Sequence, residues 1–94
     1  MDCNKIIYTG HAFQRMYERH INKQDIREAV RFGEVIMEYP NDRPFPSCLL
    51  LFSIGERPLH LVVAIDYSTK TCYIVTIYEP NPDKWDNDFK QRRK

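Results

Sequence analysis

The period of the apolar positions changes once along the chain, from about 3.6 residues to 2, at Gly33. Before that point two segments carry helical spacing. The run His11–His20 splits into two faces when drawn at about 100° per residue. His11, Arg15 and Arg19 stand four apart on one side with Glu18 between them, and Phe13, Met16, Tyr17 and His20 form an apolar stripe on the other. That stripe is expected to face the core, with Thr9 or Gly10 as the cap and Lys5–Tyr8 as a short extended lead-in. A second helix is predicted over 23–33. Asn22 supplies an N-cap, Asp25 sits in the first turn, Ile26, Ala29 and Val30 form the stripe, and Gly33 provides the stop.

After Gly33 the alternation is that of strands. Glu34–Tyr39 places Val35, Met37 and Tyr39 on one face, and Cys48–Ile54 is a continuous apolar run of the kind a central, doubly covered strand shows. Between them the three prolines of Pro40–Pro46 forbid regular structure. Leu59–Asp66 and Thr71–Glu79 make a last hairpin. Pairing bulky rows with bulky rows sets His60 on one face with Thr76 and Tyr78, and requires a loop of three or five residues. The whole is a single α+β domain over 1–94. Two N-terminal helices pack on a four-stranded, mostly antiparallel, curved sheet at about 34–79, followed by a basic C-terminal tail at 80–94.

Composition narrows the function classes. With 94 residues, 43% hydrophobic and 13% aromatic, the chain is an ordinary globular protein with room for one core. No apolar run approaches the roughly 20 residues of a membrane helix, and Met-Asp-Cys-Asn-Lys has no signal-peptide core, so a cytoplasmic location without membrane contact is expected. Cys3, Cys48 and Cys72 are odd in number, widely spaced and free of any C-x-x-C pair. They read as reduced thiols and not as a structural zinc site, and neither metal nor cofactor is expected. The net charge of +1 decides nothing about nucleic acid, but its placement does, because Lys90, Arg92, Arg93 and Lys94 close the chain. They are candidate RNA-binding cations, although a solvated terminus is the blander use of such a block. Trp85 and Phe89 could stack on bases or cover the end of the core, and the second use is favoured.

Two polar clusters carry the candidate chemistry: His11, Arg15 and Arg19 on the first helix, and His60, Thr76 and Tyr78 on the last hairpin. Cleavage of RNA by attack of the 2′-hydroxyl needs a base, an acid and cations on the phosphate. Imidazole titrates near neutrality, guanidinium matches phosphate oxygens, and Thr and Tyr hydroxyls orient a substrate. His60 and His11 would share proton transfer, Arg15 and Arg19 would hold the phosphate, and Thr76 with Tyr78 would position the nucleotide. The reading requires both clusters to line one cleft.

The helix His11-Ala12-x-x-Arg15-x-x-x-Arg19, with Ile21 and a second helix reaching Gly33, is similar to a small bacterial family known as a domain of unknown function, the 4258 family. The likeness continues through Arg57-Pro58-Leu59-His60-Leu61-Val62-Val63-Ala64 and Ile74-Val75-Thr76-Ile77-Tyr78-Glu79-Pro80, so it runs from about Ile7 to Pro80. That family resembles the RelE/ParE-like toxins of the barnase–colicin–RelE fold group. The resemblance implies a toxin–antitoxin component that cleaves mRNA, free or on the ribosome, and a cognate antitoxin protein as partner. It also implies that His11, Arg15, Arg19, His60, Thr76 and Tyr78 are the recurring polar positions. Two alternatives belong to other classes: a non-catalytic protein- or RNA-binding domain, and a toxin that inhibits a protein target such as gyrase.

Overall fold

A computed structural model describes residues 1–94. The chain runs β1 (Lys5–Tyr8), α1 (Gly10–Glu18), α2 (Lys23–Phe32), β2 (Glu34–Tyr39), β3 (Ser47–Ile54), β4 (Arg57–Asp66) and β5 (Thr71–Tyr78). The sheet is five-stranded and mixed, in the order β1-β5-β4-β3-β2. This corrects the expected four-stranded, mostly antiparallel sheet, although the α+β class with two helices holds. Lys5–Tyr8 is a strand in its own right, parallel to β5 with Lys5 opposite Thr71 and Tyr8 opposite Ile74. A parallel partner so distant in the chain leaves no turn between the two, so nothing local announces the pairing. Strand β4 is the middle strand, and β3 is interior as expected, between β4 and β2.

Both helices end for local reasons. Thr9 caps α1, its hydroxyl oxygen accepting from Ala12 N at 3.1 Å. Asn22 and Asp25 close a reciprocal capping box on α2, with bonds of 2.8 and 3.0 Å. The stripe of α2 is buried as expected, at Ile26, Ala29 and Val30. That of α1 is so only at Met16. Ala12 and Met16 are its buried residues, whereas Phe13 and Tyr17 are 53% and 84% exposed and His20 lies past the helix end at φ 56°. At Phe13 and Tyr17 large side chains suggested the wrong face. Small Ala12 seats the helix against β5, and Phe13 packs sideways, edge-on to Tyr8 with Lys23 over both rings.

The core lies between the helices and one face of the sheet, where Cys48, Leu50, Leu59, Leu61, Val63, Ile65, Cys72, Ile74 and Ile77 meet the helix stripes. That Ile74 and Ile77 both point inward, despite odd spacing, follows from a bulge. Val62 opposes Thr76 and Val63 opposes Ile74, which leaves Val75 without a partner. From His60 to Val62 the like-with-like register stands as expected. Beyond the bulge it slips by one, so the loop has four residues, Tyr67–Lys70, and not three or five. A second bulge at Ile36 breaks the proposed face of β2, turning Val35 toward the helix side and Met37 and Tyr39 to the other. Cys3 and Cys72 are joined as a disulfide with Cα atoms 5.9 Å apart, which corrects the expectation of three reduced thiols; Cys48 remains free and buried.

Candidate active site

The helix-free face of the sheet carries His60, Val62 and Ala64 of β4 opposite Tyr78, Thr76 and Tyr73 of β5. It divides into a covered half and an open half.

The covered half is built on His60, which is fully buried. Its Nε2 lies 2.8 Å from the carbonyl of Phe89, and its Nδ1 lies 3.1 Å from the Tyr78 hydroxyl. A backbone carbonyl can only accept, so Nε2 carries the hydrogen and Nδ1 accepts from Tyr78. Trp85 closes over the ring, edge-on at 4.4 Å. Burial lowers the pKa of His60, partly offset by its bond to Phe89, and raises that of Tyr78, with Tyr39 adding to the rise and Arg92 opposing it. A neutral ring with both nitrogens engaged is a strut, not a proton carrier, so the proton-transfer role expected of His60 is not available in this arrangement.

The tail builds the cover. Lys90 pairs with Glu34 at 3.1 Å, Arg92 stacks over Trp85 at 5.3 Å, and Arg93 donates to Pro82 O and Asn87 Oδ1. Three of the four candidate RNA-binding cations are thus engaged within the fold, and Lys94 is exposed beside them. Trp85 is 4% exposed and covers the end of the core, as favoured above.

The open half begins two residues along β5. His11 Nε2 lies 3.0 Å from Thr76 Oγ1 in an exposed pair. Thr9 holds the two elements together, because its hydroxyl lies 3.0 Å from both the Ile74 and Val75 carbonyls while accepting from Ala12 N. The start of α1 is therefore tied to the bulge of β5, which sets His11 at Thr76. Arg15 stands one helical turn beyond His11 and approaches only Glu18, at 4.0 Å, a weak surface contact. The Arg19 side chain is exposed. At the far end of α1, Arg57 pairs with Glu79 at 2.6 Å and donates to the Arg19 carbonyl at 2.5 Å, clamping the ends of β4 and β5 to the helix.

The structure thus unites the predicted residues as two pairs, His11 with Thr76 and His60 with Tyr78, joined through the same face of β5. Only the first pair, with Arg15 and Arg19 on its helix, is open to a ligand. Thr9 and the Arg57–Glu79 clamp were not singled out from the sequence as site residues. Thr9 was visible there as a cap, and Arg57 and Glu79 flank the two strand motifs. No group of three or more His, Cys, Asp or Glu side chains is placed to hold a metal ion, and no helix is long and apolar enough to cross a membrane. The largest hollow, about 650 Å³, lies elsewhere, lined by Met1, Val35, Pro46, Cys48 and Ile65.

This is a mixed-sheet α+β domain whose open polar site joins a helix-borne histidine to a strand threonine. The sequence profile of the family described as Domain of unknown function (DUF4258) matches residues 8–79, and the chain belongs to that family. The matched span includes the open site and the His60–Tyr78 pair and stops before the covering tail. No curated protein and no solved structure matches the chain.

Proposed function

We propose that the protein is an endoribonuclease that cleaves RNA by acid–base chemistry at His11. The observation that carries this reading is the exposed His11–Thr76 pair, 3.0 Å apart, on a helix face that also presents Arg15 and Arg19. His11 takes the proton of a 2′-hydroxyl, and the resulting oxygen attacks the adjacent phosphorus. The bond to the 5′-oxygen breaks, and that oxygen takes a proton from water. The products are a 2′,3′-cyclic phosphate and a 5′-hydroxyl. Arg15 and Arg19 offset the charge that grows on the phosphate, and Thr76 fixes the imidazole. His60 acts one step removed, by holding Tyr78 and the tail. A single proton-transfer group is consistent with a slow enzyme, since each such group contributes about 10²–10⁴-fold.

Resemblance to the RelE/ParE-like group supports the same reading and extends it to a toxin acting on mRNA and held by an antitoxin. A protein-directed toxin is the second reading, favoured by the exposed Phe13 and Tyr17 on α1. Induced expression followed by mapping of new RNA 5′ ends separates the two. Ends bearing 5′-hydroxyls, unaffected by chelator in vitro and reduced about 10²-fold or more in His11→Ala, are expected. Growth arrest with intact RNA, or a folded His11→Ala protein cutting as well as wild type, defeats the ribonuclease reading.

A further inference from the structure

We propose that the hollow beside the His11–Thr76 pair is a nucleobase site, and that the base it takes is guanine. The proposal rests on the ribonuclease reading for the nature of the strand, but the hollow has its own chemistry. It encloses about 390 Å³ on the helix-free face, between β4, β5 and the loop 40–46. Val62 and Ala64 form its floor, Phe45 and Tyr73 an aromatic side, and Asp42 and Arg43 its polar rim. Thr9 and Val75 also line it, and Val62 is the cross-strand partner of Thr76. The hollow therefore begins where the His11–Thr76 pair ends, within one nucleotide's reach of a phosphate held there.

Its lining selects a flat, weakly hydrated guest. Phe45 and Tyr73 stack nearly parallel on each other, 5.5 Å apart at 10°, and both line the hollow, where aromatic side chains are what unpaired bases settle on. A phosphate or a ribose would lose its water to Val62 and Ala64 without replacement. The rim then chooses among bases. Asp42 Oδ2 accepts from the Ser47 hydroxyl at 2.5 Å, and Oδ1 has no partner in the chain. A carboxylate can only accept, and guanine is the base whose pairing edge carries two adjacent N–H donors. Adenine and cytosine set an acceptor beside their single donor, and uracil flanks its one N–H with two carbonyls. Arg43 is exposed and forms no ion pair, so its charge is free for the flanking phosphate.

The test titrates the full chain with 3′-GMP, 3′-AMP, 3′-CMP, 3′-UMP and inorganic phosphate, following the amide resonances of Phe45, Ala64 and Tyr73. In parallel, cleavage of GpN is compared with that of ApN. We expect 3′-GMP to shift those amides and to bind at least about tenfold tighter than 3′-AMP, the difference of a bond to a charged group. Asp42→Asn should erase that preference, and Tyr73→Leu should weaken all four nucleotides. His11→Ala should keep the preference while losing cleavage. Equal binding of the four nucleotides by the wild-type protein overturns the proposal whether or not any variant folds. Selective 3′-GMP binding without cleavage of any RNA leaves the base site standing and ends the ribonuclease reading. Cleavage indifferent to the base does the reverse.

Discussion

Replacing His60 by alanine tests the assignment of this residue to structure and not to proton transfer. The imidazole is fully buried, and its removal strands the Phe89 carbonyl and the Tyr78 hydroxyl beneath the tail. Each loses a bond whose absence costs about 1 kcal/mol if water reaches it and up to roughly 3 if not. The vacated ring volume beside Trp85 and Tyr78 adds about 2 kcal/mol of lost packing. The sum is about 4 kcal/mol, which for a domain of this size corresponds to a fall in Tm of about 15 °C or more. Thermal melting by circular dichroism reads the stability, and the chain's single tryptophan, Trp85, reads the cover. Its emission should shift red as the tail lifts. A chain ended after Glu79 should show a similar loss, and adding His60→Ala to it should cost much less than in the intact chain, because the two changes break the same contacts. A His60→Ala protein that melts within about 4 °C of wild type with unshifted emission refutes the reasoning, as that gap is worth only about 1 kcal/mol.

Two further outcomes follow from the same packing. Burial lowers the pKa of His60, so the folded state prefers the neutral ring. That preference contributes fully above the unfolded value of about 6.5 and is lost as pH falls from there toward the lower folded value. Denaturant midpoints should therefore drop between pH 7 and pH 5, and His60→Leu should flatten that drop; an unchanged slope would separate His60 from it. At Gly33 a Cβ would stand within contact of the Ala29 carbonyl oxygen, which belongs to the backbone of α2 and cannot step aside cheaply. Gly33→Ala should cost about 1–3 kcal/mol in a urea melt, and a neutral result would show that the turn from α2 into β2 is looser than this packing implies.

Legibility in the sequence followed the range of the interactions. The N-cap at Asn22, the first-turn Asp25 and the stripe Ile26, Ala29, Val30 are written within a few residues and were readable; that Asn22 and Asp25 bond reciprocally is the structure's addition. That His60 shares a face with Thr76 and Tyr78 was readable too, because the other face of that hairpin is apolar throughout. Loops of three and five residues left two pairings open, and the structure sets His60 against Tyr78. What failed was non-local or depended on an extra residue. β1 joins β5 across more than sixty residues, and the bulge at Val75 shifts the register with no glycine to mark it. The core face of α1 was right at Met16 and misjudged at Phe13 and Tyr17, where side-chain size stood in for depth, and Ala12 proved to be the second contact. Of the candidate site, His11 and Thr76 were proposed for one cleft and do meet. At His60 a packed strand histidine was the commoner reading and a reactive one the rival, and the residue that engages its Nε2 lies in the tail 29 positions away.

The Val75 bulge connects these outcomes. Without it, strict alternation along β5 would put Ile74 on the face of Thr76 and Tyr78 and Val75 on the face of Ile77. The core would lose Ile74, the residue opposite the end of β1. With it, the apolar row stays under the helices while Thr76 and Tyr78 stay on the open face. The carbonyls of Ile74 and Val75 anchor Thr9, whose backbone N–H and hydroxyl both reach the Ile74 oxygen, and hence the first turn of α1. One unpartnered residue thus both ends the pairing of β1 and delivers His11 to Thr76. The two histidines differ in what surrounds them and not in kind. One stands at an edge that the bulge opens, and the other lies two residues along the same face, where Trp85 and Phe89 close over it.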